Sequence, residues 1–188
     1  MAGRIPVYYL VGKPGAGKGS QGSALEELLG VPSLSAGEVL REEAKQPTER
    51  GKMIAEIQNA SGLVPYETVV EVLEDAVKEA KYAQGVILDG LPRSLEQDDW
   101  VGTWGKVKAV FNIDVPDDIC TKRIMGRAAR PEDSDPLKIA KRLREDISHK
   151  ILERYTLKGN VPIYHIDGTG TIDQVTELLK KKYSESPA

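Results

Sequence analysis

Apolar residues along the chain follow two alternating patterns, short strand-like runs and longer stretches with helical spacing. The runs lie at residues 7–11, 86–88, 107–115 and 161–166. Short runs rich in apolar and β-branched residues are typical of strands in a buried parallel sheet. Because helical patterns separate the runs, the sequence predicts an α/β fold, with an open parallel sheet of about five strands and helices on both faces.

Helical spacing is clearest in two segments. Apolar residues recur every three or four positions, at Val69, Val70, Leu73, Ala76, Val77 and Ala80 in the first segment and at Ile139, Leu143, Ile147, Ile151 and Tyr155 in the second. We expect two long helices, each packing one apolar stripe on the sheet.

Two polar stretches are predicted to lie outside the core. The first, at 44–65, contains Met53, Ile54 and Ile57, which indicate one short helix. Just before it, residues 35–38 have the S-x-x-E form of a capping box, which predicts that a helix begins there. The second stretch, GRAARPEDSDP at 126–136, is expected to form a surface flap.

Length and composition narrow the class of protein. At 188 residues the chain suits one domain, with no apolar run near the roughly 20 residues of a membrane span and no leader-like N-terminus. The net charge of -3 comes from 26 basic and 29 acidic residues spread along the chain, so no basic field attracts a nucleic acid. Cys120 is the only cysteine, which excludes an internal disulfide and a four-cysteine zinc site. We expect a soluble, cytoplasmic monomer that binds neither nucleic acid nor membranes.

Candidate chemistry is concentrated in the segment 12–21, GKPGAGKGSQ, which follows the first apolar run and precedes a helical stretch. Gly12-x-x-x-x-Gly17-Lys18 fits the P-loop pattern, in which backbone N–H groups and a lysine surround phosphate groups at a helix N-terminus. A nucleoside triphosphate is the expected ligand.

A dinucleotide-binding oxidoreductase is a weaker alternative. Gly17-x-Gly19-x-x-Gly22 satisfies the dinucleotide pattern, but that pattern begins at a strand end and Gly17 lies six residues beyond Val11. Such an enzyme also needs an acidic ribose ligand on a second strand, whereas Glu38 falls in the predicted capping box.

Further segments follow the order found in the nucleoside monophosphate kinases, and the chain most closely resembles the adenylate kinases among them. These segments are SAGEVLR at 35–41, LVP at 63–65, LDGLPR at 88–93 with Gln97 four residues beyond, RIMGR at 123–127, Arg130-x-x-Asp133, Ile139-x-x-Arg142-Leu143 and IDGT at 166–169. The resemblance covers essentially the whole chain. It implies reversible, Mg²⁺-dependent phosphoryl transfer from ATP to AMP, giving two ADP.

The resemblance also implies how the chain is divided. A core would comprise residues 1–34, 65–126 and 137–188, with an NMP-binding insert at 35–64 and a short lid at 127–136. This lid lacks the zinc-capable insertion of longer family members, so no zinc is implied. Asp89 is expected to organise Mg²⁺ through coordinated water.

Ligand-binding residues follow from the same resemblance, position by position. Those expected to bind ATP are Gly15, Ala16, Gly17, Lys18, Gly19, Ser20, Arg123, Arg127 and Gly170. Those expected to bind AMP are Ala36, Arg41, Gly62, Leu63, Val64, Gly90, Arg93, Gln97, Arg130 and Arg142.

The chemistry of these positions can also be argued without the family. Phosphoryl transfer mainly requires that two anionic groups lie in line and that charge on the moving group is neutralised. We expect the catalytic groups to be cations, namely Lys18, Arg93, Arg127, Arg130 and Arg142. A general base is unnecessary, because an acceptor phosphate is largely a dianion at neutral pH. His149 and His165 are therefore expected to be structural.

Departures from the family pattern leave undecided which base the acceptor nucleotide carries. Ala36 stands where adenylate kinases usually have threonine, and alanine there is familiar from the UMP/CMP kinases. Gln97 favours AMP, because a side-chain amide can hydrogen-bond a base edge in two directions. UMP/CMP kinase is the first alternative. An ATPase or nucleotide sensor without an acceptor is the second, although it would not need Arg41 and Arg93.

Three smaller departures concern packing and the lid. Glu38 replaces an aspartate and Leu91 a phenylalanine, which should alter packing without loss of catalysis. The spacing from Arg130 to Arg142 is one residue longer than usual, so the roles of Glu132 and Asp133 stay open.

Overall fold

The fold is described by a computed structural model covering residues 4–60, 62, 64–127 and 131–186, without the side chains at 80, 131 and 132. Two predicted site residues, Leu63 and Arg130, lie outside the described residues, as does the side chain of Glu132.

The described strands form one parallel sheet. They are β1 (Ile5–Val11), β2 (Ser33–Ser35), β3 (Val86–Asp89), β4 (Gly105–Asp114) and β5 (Ile163–Asp167), in the spatial order β2-β3-β1-β4-β5. The four apolar runs correspond to β1, β3, β4 and β5, which confirms the predicted sheet. β2 gives no signal in the pattern, because it has three residues and two of them are serines.

Strand register brings the predicted motifs to one edge of the sheet. Leu10 of β1 and Ser35 of β2 both pair with Asp89 of β3, and Val11 pairs with Asn112 of β4. The chain leaves β1 directly into the P-loop and leaves β3 directly into the rest of the LDGLPR segment. Both loops therefore emerge side by side at the carboxyl ends of parallel strands.

Within the described residues, nine α-helices connect and cover the strands. They are α1 (Lys18–Leu29), α2 (Ala36–Glu43), α3 (Glu49–Asn59), α4 (Tyr66–Val77), α5 (Leu95–Trp104), α6 (Asp117–Arg127), α7 (Pro136–Arg144), α8 (Ser148–Lys158) and α9 (Ile172–Glu185). Tyr9 and Leu88 belong to one buried apolar cluster, and the adjacent residues Leu10 and Ile87 belong to another. Because successive strand residues point to opposite faces, each face of the sheet has its own apolar layer. None of these helices is long and apolar enough to cross a membrane.

The first predicted long helix is α4, and the second is wrong as a single helix. α7 ends at Arg144 and α8 begins at Ser148. The Asp146 carboxylate accepts hydrogen bonds from the backbone N–H and the hydroxyl of Ser148, at 3.1 and 3.0 Å, and such local bonds compete with the helical backbone pattern. Ile139 and Ile151 are buried on either side, so the apolar spacing continues across a break that it cannot reveal.

The segment at 35–38 begins α2 as predicted, but it does not form a capping box. Ser35 is the N-cap residue, yet its side chain makes no capping hydrogen bond. Ser35 is also the last residue of β2, and both it and Glu38 line the cavity described below. The short helix predicted around Ile54 is α3, which does have a side-chain cap: the Thr48 hydroxyl accepts from the N–H of Gly51 at 3.0 Å.

Candidate active site

A cavity of about 1080 Å³ opens at the C-terminal edge of the sheet, where open parallel sheets bind ligands. Its wall is formed by the P-loop, the start of α2, the loop after β3, α6, the α7–α8 junction and the loop after β5. Most of the predicted site residues lie on this wall, namely Gly15, Ala16, Gly17, Lys18, Gly19, Ser20, Arg41, Asp89, Gly90, Arg93, Arg123, Arg127, Arg142 and Gly170.

The predicted AMP base site is not assembled on the same wall. Ala36, Gly62, Val64 and Gln97 do not line the cavity. Ala36 and Gln97 are buried, and the side-chain carbonyl of Gln97 accepts a hydrogen bond of 2.5 Å from the backbone N–H of Arg93. The residues predicted to bind phosphate are thus brought together, whereas these four residues predicted to bind AMP do not line the cavity.

The P-loop has the backbone of an anion site. Gly12, Gly15 and Gly17 have φ angles of 142°, 85° and 98°. At Gly15 a Cβ atom would also lie 2.6 Å from the carbonyl oxygen of Cys120, so only glycine fits there. In the described part of the chain, the N–H groups of Gly15, Gly17, Lys18 and Gly19 find no acceptor. Unpaired N–H groups at a helix N-terminus favour a bound anion.

Lys18 is held by neutral groups alone. Its ammonium donates to the carbonyl oxygens of Gly12 and Lys13, at 2.5 and 3.1 Å. Burial lowers the pKa of Lys18, and the charges of Asp89 and Asp146 oppose that shift. No carboxylate among the described residues contacts the ammonium, so its charge remains available to a phosphate.

Arg93 lies beside Lys18, with Gly90 between them. A Cβ atom at Gly90 would be 3.7 Å from a terminal guanidinium nitrogen of Arg93 and 3.8 Å from Cε of Lys18. Nε of Arg93 donates to the carbonyl of Gly90 at 3.0 Å. The side chain is open to water from the cavity, but protein surrounds it on the other sides, and this desolvation lowers the pKa of Arg93 while Asp89 opposes it.

Asp89 is a carboxylate close to these cations. Burial raises the pKa of Asp89, the charge of Lys18 lowers it, and Glu38 raises it further. No group of three or more His, Cys, Asp or Glu side chains in the described ranges forms a metal site by itself.

Two predicted catalytic arginines share one buried carboxylate. Arg127 at the end of α6 and Arg142 on α7 donate to the two oxygens of Asp133, at 3.3 and 2.8 Å. Burial alone would raise the pKa of Asp133, but the hydrogen bond from Arg142 and the charge of Arg127 lower it. Asp133 therefore holds α6 and α7 together next to the cavity.

Arg123 is fixed by backbone oxygens. It donates to the carbonyls of Ala16, Thr169 and Gly170, at 3.4, 3.3 and 3.3 Å. These bonds connect the P-loop to the loop after β5, where Gly170 was predicted to bind ATP.

Sequence reasoning missed several cavity residues. Ile172 is a large apolar side chain that is 60% exposed on the wall, and Asp146 and Ser148 line the wall at the α7–α8 junction. The D-x-S spacing at 146–148, a local pattern that competes with helix, is the signal that could have identified the junction. The two histidines, which were expected to be structural, are both exposed, His149 in the first turn of α8 and His165 on β5, and neither lines the cavity.

Comparison with known proteins gives one consistent family. The family model described as adenylate kinase matches residues 10–162. An adenylate kinase of Flavobacterium johnsoniae is 36% identical over 180 residues, which cover 90% of this chain and 94% of that protein. An adenylate kinase of Xanthomonas euvesicatoria is 33% identical over 181 residues, which cover 92% of this chain and 96% of that protein. One from Corynebacterium urealyticum is 31% identical over 173 residues, covering 89% and 93%. This chain therefore belongs to the adenylate kinase family.

Proposed function

We propose that this protein transfers a phosphoryl group reversibly from ATP to AMP, giving two ADP, with Mg²⁺ as cofactor. The proposal is carried by the position of Lys18 and Arg93 on either side of Gly90. One cation belongs to the P-loop and the other to the LDGLPR motif, and both line the same cavity wall. Phosphates held by these two cations would adjoin each other, as in-line transfer requires.

The donor half of the site would bind ATP along the P-loop. The unpaired N–H groups of Gly15, Gly17, Lys18 and Gly19 and the ammonium of Lys18 suit its β- and γ-phosphates. Arg123 is held in place by three carbonyls beside the loop and would lie against the rest of the nucleotide.

The acceptor half would hold the AMP phosphate between Arg41 and Arg93. Both line the cavity, and a guanidinium can bind two phosphate oxygens at once. At neutral pH this phosphate is already largely a dianion, so no protein group needs to remove a proton from the nucleophile. This is consistent with a wall that contains no histidine among the described residues.

Charge on the transferring group would be neutralised by Arg127 and Arg142. In this structure both are paired with Asp133, so the phosphoryl group would compete with that carboxylate for them. Arg130 remains a predicted third member. Moving these arginines onto the phosphoryl group would be part of lid closure.

Two segments would close over the ligands, the insert at 35–64 over AMP and the short lid at 127–136 over ATP. Closure would expel water, which leaves the acceptor phosphate as the nucleophile nearest the γ-phosphate and prevents hydrolysis.

Mg²⁺ fits the donor set of this wall. The ion usually takes one or two carboxylates, several waters and substrate phosphates, and Asp89 supplies a carboxylate near the P-loop and Lys18. When bound, the ion would neutralise charge on the ATP phosphates. Asp89 and Ser20 are the protein groups proposed to organise its waters.

AMP is the proposed acceptor base, with UMP/CMP as the alternative. Gln97 favours AMP, but its carbonyl is engaged with the N–H of Arg93, which leaves its amide NH₂ for a base. Ala36 offers no hydroxyl at the position where adenylate kinases usually have threonine.

We also propose that the protein is a cytoplasmic monomer whose partners are small nucleotides, not nucleic acids or membranes. Support comes from its net charge of -3, its evenly spread charges and its single cysteine.

A coupled assay with Mg²⁺ and ATP tests the proposal, with AMP, UMP, CMP or no acceptor in separate reactions. We expect rapid ADP formation with AMP, much slower transfer to UMP and CMP, and almost none without an acceptor. Preference for UMP or CMP would replace the proposal with its alternative. ADP formation that is independent of any acceptor would identify an ATPase instead.

A further inference from the structure

The break between α7 and α8 places a serine hydroxyl at the start of the P-loop. Oγ of Ser148 accepts a hydrogen bond from the backbone N–H of Gly12 at 3.1 Å and donates to the Asp146 carboxylate at 3.0 Å. The other oxygen of that carboxylate accepts from the N–H of Ser148 at 3.1 Å. Since a hydroxyl has one proton, its donation to Asp146 directs a lone pair to Gly12.

Gly12 in turn holds Lys18. The carbonyl of Gly12 accepts from the Lys18 ammonium at 2.5 Å. Gly12 is buried at a φ of 142°, and a Cβ atom there would lie 2.5 Å from the carbonyl oxygen of Ile113. Thus Gly12 is fixed by packing on one side, by Ser148 at its N–H and by Lys18 at its carbonyl.

Asp146 also contributes charge to this wall. It lines the cavity, and its negative charge supports the charged forms of Lys18 and Arg93 against desolvation. The described contacts of its carboxylate are with Ser148, so it does not block either cation with a salt bridge.

From these contacts we infer that Asp146 and Ser148 are positioning residues for phosphoryl transfer: they orient Gly12 and, through its carbonyl, the ammonium of Lys18. This inference rests on the proposed function. It adds two residues from outside the P-loop to the groups that determine the geometry of the donor site.

Variants at Ser148 test whether its hydroxyl positions Gly12 or only helps to end one helix and begin the next. Ser148→Ala and Ser148→Val remove the hydroxyl, whereas Ser148→Thr keeps it and has almost the same shape as valine. We expect kcat to fall about tenfold in the alanine and valine variants, the effect of one lost hydrogen bond, and to be restored by threonine. The KM for ATP should rise, and the KM for AMP should change less than about twofold, because the Ser148 hydroxyl contacts the P-loop and not the loop after β3.

Asp146→Asn and an amide-exchange measurement extend the test. The asparagine can still accept from Ser148 but lacks the charge, so we expect a fall in kcat of about threefold. Hydrogen exchange at the Gly12 amide, followed by NMR without nucleotide, should be about tenfold faster in Ser148→Ala. Thr156→Ala is the matched control, because this hydroxyl on the exposed side of α8 donates only to the carbonyl of Leu152, at 2.8 Å.

Several results would overturn the inference. These are wild-type kcat in Ser148→Val, loss that threonine does not restore, or an equal loss in Thr156→Ala. If both variants without the hydroxyl fail to fold while Asp146→Asn keeps wild-type kcat and amide exchange, the pair has a role in stability only. Failure of the wild-type protein to transfer phosphoryl groups would instead count against the proposed function. The amide-exchange result would still report on the hydrogen bond from Gly12 to Ser148.

Discussion

The buried carboxylate of Asp98 accepts three short hydrogen bonds, whereas the desolvated cations Lys18 and Arg93 have no carboxylate partner among the described residues. Asp98 accepts from the hydroxyls of Tyr9 and Tyr155, both at 2.7 Å, and from Arg154 at 2.6 Å. Lys18 and Arg93 instead make side-chain hydrogen bonds only to backbone carbonyls. Strand β1 connects the two regions, because it contains Tyr9, which binds Asp98, and leads directly into the P-loop, which contains Lys18.

The two regions differ in whether a partner compensates the buried charge, and this difference indicates what each region does for the protein. A buried charge is tolerated when hydrogen bonds and an opposite charge compensate its loss of hydration, and removing one partner then destabilises the fold strongly. A desolvated cation without such a partner weakens the folded state until an anion binds. We therefore assign the Asp98 cluster to stability and the cavity to ligand binding.

Of the variants considered, Arg93→Ala should have the largest effect. We expect it to lower activity without lowering stability. Because Arg93 would contact the acceptor phosphate and the transferring group, we expect kcat/KM for AMP to fall by about a thousandfold or more. Loss of a desolvated charge should leave the melting temperature unchanged or higher. Steady-state kinetics and thermal unfolding measure these two quantities.

Arg144→Ala is the control for that variant, since Arg144 is an exposed arginine of α7 outside the cavity. It should leave activity within about twofold of the wild type. Near-normal turnover in Arg93→Ala would mean that the acceptor site is assigned to the wrong residues.

Asp98→Ala should show the opposite behaviour, a large loss of stability with little loss of chemistry. The substitution leaves two buried hydroxyls without their acceptor and Arg154 without its buried partner, and we expect the free energy of unfolding to fall by about 3 to 5 kcal/mol. Turnover at a temperature well below unfolding should stay within about threefold of the wild type. Urea denaturation and a low-temperature assay test both parts.

Asp99→Ala provides a matched comparison, because Asp99 binds the same arginine at 2.7 Å from an exposed position. An exposed ion pair contributes only about 0 to 1 kcal/mol. If the two alanine variants lost equal stability, burial would not be the reason for the importance of Asp98.

The sequence predicts the parts of this molecule that depend on local pattern. Short apolar runs identify β1, β3, β4 and β5, and glycine spacing identifies the P-loop, because each signal lies within about ten neighbouring residues. The motifs also selected Lys18, Arg93, Arg127 and Arg142, which the structure places on one cavity wall.

Contacts between distant residues are what the sequence could not predict. Tyr9 and Asp98 are 89 positions apart, and Ser148 and Gly12 are 136 apart. Asp133 could not be assigned as the partner of both Arg127 and Arg142 from spacing, because several acidic residues lie equally near in the chain. Such pairings depend on how the elements pack, and packing leaves no periodic signal in the sequence.

Alkaline pH should destabilise the protein through the Asp98 cluster. Burial, followed by the hydrogen bond to the Asp98 carboxylate, raises the pKa of Tyr155 far above its usual value, and burial likewise raises the pKa of Tyr9. The unfolded chain therefore loses these protons near pH 10 while the folded chain keeps them. Their contribution to stability is fully present below about pH 10 and decreases above it, by about 1.4 kcal/mol per pH unit for each tyrosine.

Tyr155→Phe isolates this smallest effect from the titration of other groups. Urea denaturation between about pH 9 and 11 should show a decline in unfolding free energy that is less steep in the variant than in the wild type, by about 1.4 kcal/mol per pH unit above pH 10. The slopes are compared because the phenylalanine variant also loses one hydrogen bond at every pH. Equal slopes would show that Tyr155 titrates alike in the folded and unfolded chains. The hydrogen bonds around Asp98 would then not affect the titration of its tyrosine partners.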